Sequence, residues 1–303
     1  MSAPLKSRQG FTLIELMIAV IIAAIVGASL LKMTMAQARF MEQQEAGRSA
    51  RGVARGGVNR LVSDLRAVNP VGGIVAAVAG GQDFTIRVPY AFGVICVSAG
   101  ATATAALLPV DSMMYASPGH TGFAIQNATG AYNYYTSTVV NAIPTVAAAN
   151  ACLNALPAVQ GAINPGTGFF PSVNGSPQGK VASLIATGVL NPVPPVGSIM
   201  FLYRTIRYEF KNSAAINGRI GLFRTMVSGG TTEEIATPFD NTARVNFYVL
   251  NNGVAQAAVP APLSNIRGFE LVLNGQSERT PRGSAAPKLA NVTTSVFFEN
   301  RPD

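Results

Sequence analysis

The run from Phe11 to Leu31 constrains this chain more than any other feature: 21 residues, nearly all apolar, with one acid, Glu15, inside. As a helix it is about 31 Å long, enough to cross the hydrocarbon core of a bilayer. An acid near the centre of a bilayer costs roughly 2.5–3.5 kcal/mol on insertion scales, so Glu15 needs a stabilising partner. Lys6 and Arg8 precede the run and predict a cytoplasmic N-terminus with the bulk of the chain outside. A secretory signal peptide has an apolar core of only about 7–15 residues before a small-residue site. Gly27-Ala28-Ser29 has that character, but the run continues to Leu31. A plain membrane anchor accounts for the length and leaves Glu15 unexplained.

The order Lys6, Arg8, Gly10, Phe11, then Thr12-Leu13-Ile14-Glu15 opening an apolar helix, resembles a type IV prepilin. The resemblance implies cleavage between Gly10 and Phe11 by a prepilin peptidase, and usually N-methylation of Phe11. It further implies an inner-membrane helix, an inner-membrane assembly platform, and other pilin or pseudopilin subunits as partners. In that family the acid, here Glu15, pairs with the amino terminus of a neighbour, here Phe11. The alternative is a glutamate held by the positive end of its own helix, worth about 0.3–1 kcal/mol at an exposed site. One departure is visible. Many major pilins carry a helix-breaking proline beyond the apolar run, and Lys32 stands near that place.

No proline occurs between Phe11 and Asn69, and Pro70 then ends the helical pattern. Phe40, Gly47, Ala50, Ala54, Val58, Leu61, Leu65 and Val68 form a weakly apolar stripe suited to packing on a domain. Gly47, Gly52, Gly56 and Gly57 weaken the middle by about 1 kcal/mol each relative to Ala. The segment is basic: Lys32, Arg39, Arg48, Arg51, Arg55, Arg60 and Arg66 face only Glu42, Glu45 and Asp64. Nucleic-acid binding is one account; pairing with acids of neighbouring subunits, or simple solvation of a stem, is the other.

From Asp83 the period changes to two. Phe84, Ile86 and Val88 alternate with polar residues, and Phe92–Val97 is a second candidate strand. Ile199–Phe210 sets Leu202, Ile206, Tyr208 and Phe210 on one face, with Tyr203, Thr205, Arg207 and Glu209 on the other. Candidate strands at 219–225, 243–250, 268–273 and 292–299 complete an antiparallel meander that the helix of residues 48–69 covers. Residues 99–197 are rich in Ala, Gly, Pro, Thr and Asn, with Asp111 and Lys180 as the only charges. That composition reads as an irregular insertion. Tyr132, Tyr134 and Tyr135 within it form either a contact surface or a packed cluster.

A second resemblance covers roughly residues 198–300. The segments LYRTIRYEF, GLFRT, ARVNFYVLNNG and NIRGFELVLNG are similar to the PilW-type minor pilins and the J-type minor pseudopilins. The expected fold is therefore α+β and pilin-like: a long N-terminal transmembrane helix packed on an antiparallel sheet, with an irregular insertion. Residues 1–10 form the leader and 11–69 the helix, with 11–31 in the membrane. Residues 70–303 form a periplasmic β-rich domain.

Cys96 and Cys152 are the only cysteines. In an oxidising compartment one disulfide is the simplest outcome, with two buried thiols as the alternative. A bridge closes a loop of about 56 residues, worth roughly 4 kcal/mol on the chain-entropy model. Enzyme chemistry finds little support. His120 is the only histidine, in a Ser-Pro-Gly-His-Thr-Gly loop, and no nucleophile elbow, zinc spacing or phosphate loop is present. Glu233, Glu234 and Asp240 offer oxygen ligands for calcium without the spacing of a known loop, so an exposed turn is expected. No cofactor or metal is implied. The sequence points to a minor pilin or pseudopilin that takes part in pilus or pseudopilus assembly. The alternative is a DNA-capturing minor pilin whose contacts are Arg204, Arg207, Lys211, Arg219 and Arg224, with Arg279, Arg282 and Lys288 in a nearby loop.

Overall fold

The computed structural model describes residues 12–107, 111, 114, 118–137, 140–143, 172–173, 176–177, 181–250 and 252–298. One helix, α1 (Leu13–Arg66), runs unbroken for 54 residues, about 80 Å. The strands follow it. They are β1 (Ile74–Ala77), β2 (Asp83–Ala99), β3 (Thr102–Leu107), β4 (His120–Gln126) and β5 (Tyr132–Thr136). Next come β6 (Val140–Ile143), β7 (Ser172–Val173), β8 (Ser176–Pro177), β9 (Val181–Ile185) and β10 (Ile199–Asn212). The last are β11 (Ile220–Met226), β12 (Thr232–Phe239), β13 (Arg244–Val249), β14 (Ile266–Gln276) and β15 (Leu289–Phe297).

All but β7 and β8 join one antiparallel sheet, whose main path runs β13-β14-β12-β11-β10-β2-β3-β9-β6. The expected α+β architecture, a long apolar helix and then a large antiparallel sheet, is what forms. The path is not a simple meander. The early strand β2 pairs with β10 along eleven positions, and β12 reaches β14 through the single pair Phe239–Gly275. The tip of the β1–β2 hairpin folds back on β13, where the Val245 amide donates to the Gly81 carbonyl at 2.9 Å. The sheet therefore curls around its core instead of lying flat.

Two cores result. In the first, Ala54, Leu61 and Leu65 of α1 pack among Phe84, Ile86, Ile206, Tyr208, Phe239, Phe269 and Leu273. The second lies beyond the reach of the helix and is built from Ala91, Ile95, Ala103, Ala105, Leu107, Phe123, Ile125, Leu184 and Leu202. Strands β3, β4, β5, β6 and β9 come from residues 99–197, so much of the described part of that stretch extends the sheet, while residues 186–197 are irregular. The physical reason is that a ladder needs backbone groups and not large side chains. Alanines 103, 105 and 182 pair as readily as valines and allow close packing.

Three further departures have local causes. Residues 83–99 form one strand, not two, with the register shifting around Pro89 opposite Leu202 and Tyr203. Proline lacks the N–H that the ladder requires there. The segment read as an exposed acidic turn is β12. Glu233 and Glu234 are adjacent on that strand and so point to opposite faces. Glu233 pairs with Arg224, while Glu234 accepts from the Ala214 and Ala215 amides. Finally, β10 is not amphipathic throughout. Tyr203 is fully buried on the face away from the helix because Tyr134 and Ala124 cover it.

Candidate functional site

Among the described residues, nothing buries the N-terminal part of α1. Its most apolar 18-residue window has mean hydropathy 2.6 and none of it is buried. Leu13, Ile14, Leu16, Met17, Val20, Ile21 and Ile25 are each more than half exposed. Exposing this much contiguous apolar surface to water is unfavourable, and the length and composition suit a bilayer. Met33, Met35, Phe40 and Met41 continue the exposed apolar surface beyond the run. Phe40, which the stripe assigned to the domain, lies 60% exposed outside it.

Glu15 sits in the first turn of α1, near the end of the apolar run rather than its centre. Its Oε2 accepts from the Thr12 amide at 3.0 Å and from the Thr12 hydroxyl at 3.1 Å. The Thr12 Oγ1 accepts in turn from the Glu15 amide at 3.4 Å. This reciprocal pair is a capping box, which satisfies two of the donors that every helix start leaves open. The signature Thr-x-x-Glu was present in the sequence and marks residue 12 as the helix cap. Gly10 and Phe11 lie outside the described residues.

At the other end, a second acid is used in a different way. Asp64 is buried on the inner face of the helix, one turn from Leu61 and beside Leu65. The Tyr208 hydroxyl donates to its Oδ2, and Arg224 Nε donates to the same oxygen at 3.2 Å. Burial raises the Tyr208 pKa, and the neighbouring Asp64 charge raises it further. Burial opposes the charge on Arg224, but Tyr208 and Asp64 outweigh it and leave that pKa above its ordinary value. A buried, hydrogen-bonded triad therefore fixes helix to sheet. Small residues allow the approach. A Cβ on Gly57 would lie 3.0 Å from the Phe239 ring, and one on Gly275 would overlap the Ala50 carbonyl.

The five cationic residues expected to contact nucleic acid do not form one exposed face. Arg224 is 5% exposed within the triad. Arg204 shares that face of β10 and stacks over the Tyr90 ring at 4.6 Å. Arg207 and Lys211 lie on the opposite face, where Arg207 pairs with Asp83 and Glu209, and Lys211 with Glu209 at 3.0 Å. Arg219 donates to Gln276 at 2.8 Å.

The tyrosines of β5 are also engaged. Tyr132 and Tyr134 pack on Phe201, with Tyr134 also against Tyr203, while Tyr135 stacks on Phe123. Their partners include the main strand β10, not only the stretch they come from. His120 begins β4, half-buried, with Nδ1 2.9 Å from the Tyr90 hydroxyl. Burial lowers its pKa to about 4. The loop that its sequence suggests gives way to a strand at His120 itself. Cys96 is fully buried in β2. Cys152, and with it the expected bridge, lies outside the described residues.

With this geometry in view, comparison with known proteins gives one match. The prokaryotic N-terminal methylation motif matches residues 5–31. No curated protein and no solved structure matches the chain. The motif is a type IV prepilin-like signal, and it falls on the exposed apolar end of α1. Together with the α+β architecture, it supports a pilin-like or pseudopilin protein that is membrane-anchored and structural, and that associates with other pilin subunits after prepilin peptidase processing.

Proposed function

We propose that the protein is a minor subunit of a type IV pilus or secretion pseudopilus, cleaved between Gly10 and Phe11 and held in the inner membrane by residues 11–31. The observation that carries this reading is the continuity of one helix. Its motif-bearing third is wholly exposed, and its last third is locked into a β-domain by Asp64, Tyr208 and Arg224. A helix so anchored presents its apolar end to a bilayer first and to neighbouring helices later. The resemblance of the later strands to PilW-type and J-type subunits supports the minor role.

Glu15 is the assembly residue in this reading. In the free chain its carboxylate caps its own helix, an arrangement worth about 0.5–2 kcal/mol. A new amino terminus at Phe11 on a neighbour competes for it with a full charge in an apolar setting, where an unpaired carboxylate is expensive. Glu15→Val should leave insertion and cleavage intact and reduce the ratio of this subunit in sheared filaments to its inner-membrane pool by at least about tenfold, or about 1.4 kcal/mol. An unchanged ratio with unchanged filament number removes Glu15 from assembly. The mature mass should begin at Phe11 with one added methyl group; a mature chain lacking the apolar run removes the filament reading altogether.

The Cys96–Cys152 bridge belongs to the same proposal, because export places the domain in an oxidising compartment. Thiol labelling of denatured, non-reduced protein should find neither cysteine reactive. Replacing both with Ser should cost roughly 2–5 kcal/mol. Two reactive thiols would exclude the bridge.

A further inference from the structure

Along the domain-bound third of α1, Arg48, Gly52, Arg55, Asn59, Ser63 and Arg66 recur at spacings of three and four, and all are exposed. At 3.6 residues per turn they share one side of the helix, opposite Ala50, Ala54, Leu61 and Asp64, which the sheet buries. Arg51 and Arg60 flank this outer face, also exposed. Between Arg48 and Arg66 it contains no acid and no large apolar side chain; the nearest acid on that side is Glu45, one turn before Arg48. None of its arginines enters an ion pair or a side-chain hydrogen bond among the described residues. Two of the nearby acids are spent elsewhere, Asp64 on Tyr208 and Arg224, and Glu42 on Arg282, while Glu45 stands exposed at the N-terminal edge of the stripe. Gly52 and Gly56 have open space where a Cβ would stand, so another backbone can come close.

We propose that this face docks an acidic helix of a different subunit, and that the chain cannot pack against a copy of itself there. The inference rests on the filament reading, which places helices side by side. At interaxial distances of about 8–10 Å, two copies would oppose arginine with arginine, whereas an acidic helix neutralises the stripe. A membrane surface is the wrong occupant. Arg48 lies about 25 Å along the helix beyond Leu31, several times the screening length of about 8 Å at physiological salt. The consequence is a subunit that enters a filament only between unlike neighbours, which is what a minor role requires.

A charge-reversed copy supplies the acidic helix for a test. The full mature chain in detergent micelles is compared with its Arg48→Glu/Arg55→Glu/Arg66→Glu variant by sedimentation, alone and mixed. The Arg→Gln triple variant serves as the neutral control, and thermal melts confirm that all three fold. Each chain alone should be monomeric. The mixture should form heterodimers at least about tenfold more tightly than either self-associates. That preference should fade as salt rises from about 0.01 M to about 1 M and the screening length falls from about 30 Å to about 3 Å. The neutral variant should pair with neither.

Wild-type self-association as strong as the mixed pairing would overturn the proposal, and so would a mixture that stays monomeric. Tighter binding of a short DNA duplex than of the reversed copy would assign the face to nucleic acid instead. The intact mass of the same preparation separates the two levels. A chain beginning at Phe11 that fails the mixing test breaks this inference alone. A chain still carrying residues 1–10 breaks the filament reading.

Discussion

The two ends of α1 are built on opposite principles. From Leu13 to Met41 the helix is strongly apolar and exposed; from Ala50 to Leu65 it is only weakly apolar, yet it is the part the protein buries. The buried end packs with alanine, glycine and two leucines, because its partner sheet comes close enough that larger side chains would not fit. The exposed end carries leucine, isoleucine and methionine that no strand covers. Hydrophobicity therefore does not predict which part of this helix faces the domain. Size and shape do so at one end; at the other, the apolar side chains stay exposed among the described residues, with the length and composition that suit a bilayer.

The acids at the two ends sharpen the contrast. Asp64→Ala removes the buried acid that Tyr208 and Arg224 share and leaves Arg224 only the exposed Glu233, so the domain should lose about 3–5 kcal/mol. Glu15→Val touches only an exposed cap and should leave the domain within about 0.5 kcal/mol of wild type. Denaturant midpoints of the intact chain in detergent measure both. Equal shifts would mean that the two ends are not energetically separate.

Glycines test the same division by packing. Gly275→Ala places a methyl group against the Ala50 carbonyl and should cost about 1–3 kcal/mol through overpacking. Gly52→Ala lies on the exposed helix face with open space around it, and should stabilise by about 1 kcal/mol through helix propensity. The two midpoints should move in opposite directions. If both variants are neutral, the helix does not seat on the sheet as closely as described.

The smallest effect lies outside the helix, at His120. Burial lowers its folded pKa to about 4, against about 6.5 when unfolded. The unfolded chain then binds the extra proton between these values. Stability is fully present above pH 6.5, falls as the pH drops towards 4, and levels off below. Discounted for the partial exposure of the ring, the loss is on the order of 1 kcal/mol. His120→Gln should flatten that part of the stability–pH curve, provided that Tyr90 keeps a hydrogen-bond acceptor. An unchanged slope would mean that another group titrates there.

The clearest sequence signals were the local ones. The helix, the apolar run and the late strands each rest on neighbours within a few residues; the helix ends at Arg66, four residues before the Pro70 at which the sequence predicts its stop. The capping box was equally local, since Thr12 and Glu15 stand three apart, and it needed only to be read as a helix start. Long-range pairings were hidden for the opposite reason. Nothing near Asp64 in sequence announces Tyr208 or Arg224, and nothing near Tyr134 announces Phe201 or Tyr203. The strands of residues 99–197 were obscured because alanine and threonine carry weak patterning, although their backbones pair as well as any.

The sequence by itself determined where this chain can enter a membrane, because a bilayer tests only length and polarity along one helix. It also determined that strands would follow, because period two is a property of neighbouring residues. Tertiary structure alone decided which charges are free. In sequence Arg224 is nine residues and Arg204 five from the nearest acid, but the curled sheet brings Glu233, Asp64 and Tyr208 to the first and Tyr90 to the second. Arg48, Arg55 and Arg66 have Glu42, Glu45 and Asp64 on the same helix, yet remain without them. Asp64 faces inward, Glu42 has turned to Arg282, and Glu45, one turn before Arg48, makes no ion pair with it. Charge is local to a residue, but its neutralisation depends on what the fold places within a few ångströms.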